Sequence, residues 1–315
     1  MQFRITILGC SSAIPTKDRY PTAQLVDYSD RYFLVDCAEG TQMQLRRYRI
    51  SFQRIQHILI SHMHSDHFLG LPGLLSSMDL LGRKIPMHLY APSEVISFIR
   101  HYKEMTHTPS NFELIFHEIK NQFEGILWEN EQFIIRCFPL RHSVACHAFI
   151  FEERARPLRM KKNAIIQYGL TIEQIRLAKE GHDIIKADGK VIPNHSITTL
   201  PMHPRKYVYM TDTAFLPNVA ERILEADVLY HEATFGQDFK IRAEQTQHST
   251  ALEAGKMAAL ARVKKLIIGH FSVRYTNTDS LLAEAKSEFT DTEVAFDGKV
   301  IDIPFAYRTF SSNHC

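Results

Sequence analysis

The sequence predicts an α/β fold in which helices pack against β-sheets. Short apolar stretches rich in β-branched residues alternate along both halves of the chain with longer stretches of helical spacing. This alternation gives the two halves a coarse similarity without a detailed internal repeat. With 315 residues and 45% hydrophobic content, the chain can bury a large core, as one domain or as two closely packed halves.

The first half contains most of the predicted strands, which are apolar runs bounded by glycine, proline or polar turns such as Ser29-Asp30. They are predicted at 3–8, 22–28, 31–36, 55–61, 86–90, 112–119, 132–140 and 145–151. Helices are predicted around Arg46 and Arg47, over 69–81, and from Pro92 to about Met105. The start Pro92-Ser93-Glu94 is typical of a helix N-terminus.

The second half repeats the pattern from residue 206 onwards. Strands are predicted at 206–210, 227–230 and 264–269, and helices near 217–225, 250–262 and 279–289. Thr250 and Glu253 have the spacing of a capping box, which supports a helix that begins at this point.

Residues 151–200 lack this alternation. Basic side chains are concentrated between Glu152 and Lys162, and Thr171 with Gln174 forms a second capping-box pattern before a short helix that ends at Gly181. A short helix inside a polar segment suggests a protruding arm. We therefore expect one domain over 1–315 with an arm at 151–200 inserted in it.

Charge and cysteine content narrow the class of protein. The net charge is only +2 with histidine neutral, so any affinity for nucleic acid must come from local basic patches. The five cysteines are scattered without C-x-x-C spacing, which fits reduced thiols in the cytoplasm. The N-terminus lacks the pattern of a secretory leader, and no apolar run approaches the roughly 18 residues of a membrane span. We expect a cytoplasmic protein that does not use a membrane.

A cluster of ligand-type side chains follows the predicted strand at 55–61. In an extended or turning backbone, residues two apart lie on one side, so His62 and His64 can converge on one ion while Asp66 and His67 reach a second. Imidazole and carboxylate suit zinc, manganese or iron. The alternative is a chance surface cluster, which is rare even with 17 histidines in the chain.

Three further candidate ligands directly follow apolar strands. They are His142, Asp212 and His270. Taken singly, each histidine is as well explained by a buried imidazole with a backbone partner. Recurrence at several strand ends favours a shared metal site. Asp36, at the end of another predicted strand, could orient a ligand imidazole through its second nitrogen.

The H-x-H-x-D-H cluster resembles the signature of the metallo-β-lactamase superfamily, and its L-P-G continuation resembles the ribonuclease Z family, endonucleases that trim the 3′ end of precursor tRNA. The resemblance covers nearly the whole chain. It includes D-x-x-E-G-T from Asp36, T-D-T around Asp212, H-E-A-T from His231, H-S-T from His248 and G-H-F-S-V-R-Y from Gly269. Tyr20 departs from the family's usual first loop, P-x-K-x-R-N.

The resemblance implies an αββα sandwich and a site for two metal ions. The implied metals are two zinc ions per chain, with manganese or iron as alternatives. The implied ligands are His62, His64 and His142 for one ion, Asp66, His67 and His270 for the other, and Asp212 as a bridge between them.

A pair of divalent ions activates water and stabilises charge on phosphoryl oxygens. Asp66 is placed to hold and deprotonate that water, so we assign it as the general base. The H-S-T tract offers His248 as the proton donor to the leaving 3′ oxygen. His231 has two open roles, which are support of His248 or the metal ligands, and simple core packing.

The resemblance also implies a homodimer in which the arm of one subunit clamps the tRNA that the other subunit cleaves. The expected RNA contacts are basic residues of the first loop and the arm, namely Lys17, Arg19, Arg154, Arg156, Arg159, Lys161 and Lys162. Such residues would position RNA by charge and shape without reading its sequence. The alternative is that they solvate an exposed linker.

The metal cluster alone does not decide the substrate, because lactamases, thiolester hydrolases and nucleases share it. The full set of motifs predicts a zinc-dependent endoribonuclease that removes the 3′ trailer of precursor tRNA, leaving a 3′-hydroxyl on the tRNA and a 5′-phosphate on the trailer. The alternative is a metal-dependent thiolester or small phosphodiester hydrolase. A binding module without activity is disfavoured, because no implied ligand is missing.

Overall fold

The computed structural model describes residues 1–107 and 110–305. Its strands, in chain order, are β1 (Phe3–Gly9), β2 (Ala23–Tyr28), β3 (Arg31–Val35), β4 (Ile55–Leu59), β5 (Met87–Ala91), β6 (Leu114–Glu118), β7 (Gly125–Glu129), β8 (Phe133–Leu140), β9 (Cys146–Glu153), β10 (Arg159–Met160), β11 (Ile184–Ile185), β12 (Val191–Ile192), β13 (Thr198–Thr199), β14 (Lys206–Met210), β15 (Val228–Glu232), β16 (Leu266–Gly269), β17 (Thr292–Val294) and β18 (Val300–Asp302).

The helices are α1 (Thr41–Arg47), α2 (Ser65–Phe68), α3 (Leu71–Leu80), α4 (Ser93–Met105), α5 (Ala164–Gln167), α6 (Ile172–Lys179), α7 (Asn194–Ile197), α8 (Lys240–Thr246), α9 (Ala251–Leu260) and α10 (Asp279–Glu288). Short 3₁₀ helices lie at Phe52–Arg54, Pro217–Ile223 and Gln237–Phe239.

Two seven-stranded sheets form the centre of the fold. The first has the order β18-β1-β2-β3-β4-β5-β6, antiparallel from β18 to β3 and parallel from β3 to β6. The second has the order β17-β16-β15-β14-β9-β8-β7, with β14 to β17 parallel. Parallel neighbours place the carboxyl ends of their strands at one edge, which is where α/β folds bind ligands.

Aromatic side chains join the inner faces of the two sheets. Phe33 of β3 packs edge-on against Phe151 of β9, with ring centroids 6.1 Å apart, and against Trp128 of β7 at 5.2 Å. The hydroxyl of Tyr207 on β14 donates to Gln24 on β2. Because successive strand residues point to opposite faces, their neighbours in the sequence point outward to the helices.

Helices cover the outer faces. On the first sheet, Leu34 and Ile58 share one buried apolar cluster with Leu74 of α3 and Ile99 of α4. On the second sheet, α9 contacts β15 and β16 and lies against α10. A Cβ atom at Gly255 would lie 2.5 Å from the carbonyl oxygen of Ala285, so the close approach of α9 and α10 requires glycine. The predicted α/β fold with an αββα arrangement is therefore confirmed.

Most predicted elements are present, and the differences are local. The predicted helix near 217–225 is a 3₁₀ helix, Pro217–Ile223. Both capping boxes are present, at Thr171 before α6 and at Thr250 before α9. The strands β10 to β13 and the helices α2, α5 and α7, each two to four residues long, were not predicted. Nor were the helix α8 and the strands β7, β17 and β18. All three of these strands lie at sheet edges and contain three to five residues, so they carry little periodic signal.

The chain divides into two compact units. The first comprises 1–128, 135–151 and 206–303 and contains most of both sheets and their covering helices. Among the described residues, the second comprises 129–134, 152–205 and 304–305, and has its own apolar core, which includes Ala178, Ile184 and Ile197. Within the described residues, no helix has the length and apolarity that crossing a membrane requires.

Candidate active site and metal centre

Five polar segments meet at the carboxyl ends of parallel strands in the first unit. His62 follows β4 and continues into α2, His142 follows β8, Asp212 follows β14, and His270 follows β16. His248 lies in the loop between α8 and α9. The strands deliver these side chains to one place because each strand ends at the same edge of its sheet.

Three groups of side chains have ligand atoms that lie within 4.8 Å of one another, and the third of them combines Asp212 and His270 with His248. The first group contains His62, His64, His142 and Asp212, and the second contains Asp66, His67 and His270. The structure thus brings together all seven residues that the sequence analysis named as metal ligands.

Asp212 lies between the first and second groups. Its Oδ2 is 3.7 Å from Nε2 of both His62 and His142, whereas its Oδ1 is 3.4 Å from Nε2 of His67 and 3.1 Å from Nε2 of His270. The two carboxylate oxygens therefore face different groups. This is the arrangement that a carboxylate bridging two cations requires.

The imidazole rings have the orientation of metal ligands. Their outer nitrogens have partners: Nδ1 of His62 lies 3.0 Å from Ser61 Oγ, Nδ1 of His142 lies 3.1 Å from the carbonyl oxygen of Gln247, and Nδ1 of His270 lies 2.9 Å from Thr234 Oγ1. Such outer partners fix the tautomer that leaves a lone pair on Nε2.

Three of the inner nitrogens lack such partners. Nε2 of His62, His67 and His270 is buried without a hydrogen bond in the described part of the chain, whereas Nε2 of His142 lies 3.1 Å from Nδ1 of His64. Burial lowers the pKa of His62, His64 and His142, but at His67 the carboxylates of Asp212, Asp66 and Asp36 outweigh burial and raise the pKa. Buried imidazole nitrogens beside carboxylates that favour positive charge fit divalent cations.

Asp36 holds His67 from outside the cluster. Its Oδ2 accepts a hydrogen bond from His67 Nδ1 at 2.7 Å and another from the Tyr209 hydroxyl at 2.7 Å. Its Oδ1 accepts from the backbone N–H of Ser61 at 2.8 Å. Asp36 is fully buried, so this carboxylate is compensated by hydrogen-bond donors and not by solvent.

Cys146 lies closer to the cluster than the sequence suggested. Its Sγ is 3.6 Å from Nδ1 of His62, which is the outer nitrogen of that ring. Burial raises the pKa of this thiol well above its ordinary value. The thiol is therefore protonated and sits behind a ligand, outside the ligand set.

Asp66 contacts both the second ligand group and the first loop. Its Oδ2 lies 3.5 Å from His270 Nε2 and accepts a hydrogen bond from the backbone N–H of Ala13 at 2.7 Å. Burial would raise the pKa of Asp66, but neighbouring His67 and His270 outweigh burial and hold the pKa well below its ordinary value. Asp66 is therefore ionised.

The carboxylate beside His248 belongs to Glu232. His248 Nδ1 lies 2.9 Å from Glu232 Oε1 and 4.0 Å from Asp212 Oδ2. Burial would lower the pKa of His248, but the charge of Glu232 outweighs it, and the pKa is raised to about 9. Glu232 also accepts from the backbone N–H of Thr213 at 2.7 Å, which fixes its position.

Sequence reasoning missed Glu232 and considered its neighbour His231 instead. His231 is fully buried, and its Nδ1 lies 2.7 Å from the carbonyl oxygen of Glu232. Neighbours on a strand point to opposite faces, so Glu232 faces His248 while His231 faces the other way. The two roles left open for His231 both stay predictions. The H-E-A-T motif itself contained the signal for Glu232.

The two first-loop candidates for RNA contact are exposed or partly exposed. Lys17 is exposed, whereas Arg19 is partly exposed and one of its guanidinium nitrogens donates to the carbonyl oxygen of Thr276 at 3.3 Å. The ring of Tyr20, where the loop departs from the family pattern, lies against Gly40: a Cβ atom there would be 2.4 Å from the Tyr20 ring. Tyr20 thus connects the first loop to the D-x-x-E-G-T segment.

The candidates in the second unit fall into two classes. Arg154 forms an ion pair with Glu129, and Arg156 pairs with Glu153 at 3.2 Å. The remaining three, Arg159, Lys161 and Lys162, are exposed. Their charges are available at the surface of this unit, together with those of Arg176, Lys179 and Lys190, which are also exposed.

Comparison with known proteins identifies the family. Ribonuclease Z of Bacteroides thetaiotaomicron is 38% identical over 302 residues, which cover 96% of each chain. The chain belongs to the ribonuclease Z family. Among solved structures, the short form of human tRNase Z is similar with 27% identity and a TM-score of 0.70, over 96% of this chain and 99% of that one.

Two further matches concern the fold. A Bacillus subtilis metallo-β-lactamase fold protein is 19% identical with a TM-score of 0.68, over 96% of this chain and all of that one. The family model for Anti-Pycsar protein Apyc1 matches residues 3–155. That range ends before Asp212, Glu232, His248 and His270, whereas the ribonuclease Z relationship includes the second half of the site.

Proposed function

We propose that this member of the ribonuclease Z family is a metal-dependent endoribonuclease that cleaves precursor tRNA on its 3′ side. Cleavage leaves a 3′-hydroxyl on the tRNA and a 5′-phosphate on the trailer. The observation that carries this proposal is the position of Asp212, whose two oxygens face two separate groups of histidines in a chain related to ribonuclease Z over 96% of its length.

The ribonuclease Z relationship and the ligand groups imply divalent metal. We propose two zinc ions, with manganese or iron as alternatives, held by His62, His64 and His142, by Asp66, His67 and His270, and by Asp212 between them. Bound there, such ions activate water and stabilise charge on the phosphoryl oxygens. Asp36 supports the site by fixing the ring of His67 through Nδ1.

Asp66 serves as the general base in this proposal. An ionised carboxylate can accept the proton of the attacking water, and the low pKa of Asp66 keeps it ionised at neutral pH. The hydrogen bond from Ala13 N–H and the contact with His270 restrict its orientation. A restricted carboxylate loses little entropy when the water is bound.

His248 serves as the proton donor to the leaving 3′ oxygen. It is the histidine next to both groups, with its ring 5.0 Å from the ring of His142 and 5.6 Å from that of His270. Glu232 positions it by holding Nδ1, so that Nε2 remains for the substrate. The pair thus resembles other buried carboxylate–histidine pairs that move protons.

We further propose that the RNA is held away from the reacting phosphate by Lys17 and Arg19 and by the basic residues of the arm at 151–200. In the arm, Arg159, Lys161 and Lys162 are the better candidates, because Arg154 and Arg156 already pair with carboxylates. A cytoplasmic homodimer, in which one subunit's arm grips the tRNA cleaved by the other, completes the proposal. Four buried free cysteines are consistent with reducing conditions.

The test compares two substrates with purified, zinc-loaded protein. We expect a precursor tRNA to be cut at the 3′ side, with the stated end groups, and a glutathione thiolester to remain intact. Asp66→Asn should reduce tRNA cleavage by about 10³-fold or more while tRNA affinity stays near the wild-type value. Thiolester hydrolysis without tRNA cleavage, or normal turnover by Asp66→Asn, would contradict the proposal.

A further inference from the structure

A polar cleft adjoins the metal-ligand cluster at His142. It is lined by the loop that follows β8, by the 3₁₀ helix Pro217–Ile223 and by Asn121 and Gln122. Its volume is about 550 Å³, within the roughly 300–1,000 Å³ of pockets that bind small ligands. We call it the His142 cleft. All of its lining residues belong to the first unit.

The His142 cleft contains one uncompensated positive charge. Arg141 precedes the ligand His142 and is exposed, and in the described part of the chain no carboxylate pairs with its guanidinium. The other arginine of the cleft, Arg222, is neutralised by Glu124 through two contacts of 2.9 Å. An unpaired guanidinium beside a metal ligand is suited to bind a phosphate.

The backbone of Arg141 is fixed while its side chain is available. The N–H of Arg141 donates to Thr213 Oγ1 at 3.3 Å, and its carbonyl oxygen accepts from the N–H of Ala214 at 2.8 Å. Thr213 and Ala214 directly follow Asp212 in the sequence. These two hydrogen bonds fix the backbone from which the Arg141 side chain extends, next to the segment that follows Asp212.

The walls of the cleft match the other parts of a nucleotide. Val144 contributes exposed aliphatic surface, on which the face of a base can lie. Asn121 and Asn218 are exposed amides, which can bond base edges or ribose hydroxyls. The cleft therefore offers separate groups for phosphate, base and sugar.

The position of His248 indicates which nucleotide enters. Attack and departure occur on opposite sides of the phosphorus, so the proposed base and the proposed acid mark the two ends of the reaction. Asp66 belongs to the second ligand group, whereas the ring of His248 lies 5.0 Å from that of His142 and 5.6 Å from that of His270, so His248 is nearer to the ligand that lines the cleft. The leaving 3′ oxygen, and the ribose that carries it, are thus on the side of the His142 cleft.

We propose that the His142 cleft binds the nucleotide on the 5′ side of the scissile phosphate, which the tRNA product keeps as its last residue. Arg141 contacts the phosphate on the 5′ side of that nucleotide. This inference rests on the proposed function. It assigns Arg141 as a substrate-binding residue that holds the leaving ribose next to His248.

The experiment uses precursor tRNA in which one linkage is a neutral methylphosphonate. For wild-type protein, a methylphosphonate on the 5′ side of the last retained nucleotide should lower kcat/KM by about 10- to 100-fold. Arg141→Ala should lower kcat/KM by a similar factor on unmodified RNA and show no further loss on the modified RNA. A methylphosphonate within the trailer should change kcat/KM by the same factor in wild-type protein and in Arg141→Ala.

Two controls keep the inference separate from the proposed function. The metal content and circular dichroism of Arg141→Ala should match those of wild-type protein, and Lys286→Ala, which removes an exposed charge from α10, should process all RNAs normally. Normal RNA cleavage by Arg141→Ala, or coupling of Arg141 to the trailer linkage, would overturn the inference while the proposed function stands. Failure of the wild-type protein to cut any precursor tRNA would overturn both.

Discussion

Three residues around the metal-ligand cluster have left-handed backbone conformations although none is glycine. The φ angles of Ala13, Asp36 and His270 are 64°, 55° and 59°. Each such residue costs on the order of 1 kcal/mol or more, so surrounding contacts must hold it. The N–H of Ala13 donates to Asp66, and the N–H of Asp36 donates to the carbonyl oxygen of Leu59 at 2.8 Å. The residues with left-handed backbone therefore lie in segments that hold or supply side chains of the metal-ligand cluster.

Asp212 gives the clearest prediction at this scale. Because its two oxygens face different ligand groups, Asp212→Ala should lose most of both metals, whereas a ligand to one ion should affect mainly that ion. Elemental analysis after dialysis should find close to two metals per chain in wild-type protein and less than half of that in the variant. Circular dichroism should verify the fold. Retention of both metals would contradict the bridging role.

Glu232 and His248 should act as one unit. His248→Ala should reduce kcat by about 10²-fold, and Glu232→Gln by about 10-fold, because the amide keeps the hydrogen-bond acceptor but loses the charge. In the double variant, the second change should add little, since Glu232 acts through His248. Rate constants under single-turnover conditions measure this, with KM expected to change little. Independent, multiplying effects would show that Glu232 supports the fold instead.

At the scale of elements, one face of the first sheet carries a row of stacked rings across neighbouring strands. Phe33 on β3 is paired with His57 on β4, and His57 with His88 on β5, with ring centroids 5.0 Å apart in both pairs. Nδ1 of His88 lies 2.9 Å from Nε2 of His117 on β6. These histidines stack against neighbouring strands and are not among the metal-ligand groups of the described residues.

The buried member of this row should make stability depend on pH. Burial, together with His88 and Arg31, lowers the pKa of His57 to about 3, below the roughly 6.5 of an unfolded histidine. The folded state therefore resists protonation, so this stability is present above pH 6.5 and is lost as the pH falls towards 3. His57→Leu should make the free energy of unfolding depend less on pH. The measurement is the free energy of unfolding in urea at pH 7.5 and pH 5.

Lys286→Ala is the control, because lysine does not titrate in this range. Both this variant and wild-type protein should be less stable at pH 5 than at pH 7.5, by about 2 kcal/mol from His57 alone, whereas His57→Leu should lose less stability on acidification. Metal-free protein should be used so that release of metal does not add to the difference. Equal acid sensitivity of His57→Leu and wild type would show that His57 is not the group responsible.

At the scale of the whole molecule, the chain consists of a unit that contains the candidate site and a second unit with its own small core. The second unit has the exposed charges of Arg159, Lys161 and Lys162. Replacing all three by glutamine should weaken tRNA binding and reduce its salt dependence by about 2 in the slope of log affinity against log salt. Hydrolysis of bis(p-nitrophenyl) phosphate should persist, because that substrate needs only the metal centre.

A matched variant changes Lys240, Lys256 and Lys286 on α8, α9 and α10 to glutamine, which alters net charge equally. In this variant, the slope of log affinity against log salt should fall less than in the arm variant, which replaces Arg159, Lys161 and Lys162 by glutamine. Deleting residues 155–195 should have a larger effect than either. An unchanged affinity and slope in the arm variant and the deletion would show that this segment does not bind the RNA.

Local sequence was sufficient for much of the fold. β-Branched runs, the two capping boxes and the polar residues that follow strands are short-range signals, and they located the long elements and all seven candidate ligands. The edge strand β18 was not predicted, because its pairing with β1 joins residues such as Arg4 and Asp302 that are 298 positions apart. No local pattern contains that information.

Long-range packing was needed for the partners of each functional side chain. Whether His231 or Glu232 faces His248 depends on which side of β15 each occupies and on where the loop before α9 lies. The contact of Cys146 with the outer nitrogen of His62, and the different pairing of Arg141 and Arg222, likewise join segments far apart in the chain. Motif spacing identifies the chemical groups, but their distances and charges arise when strand ends from both sheets meet.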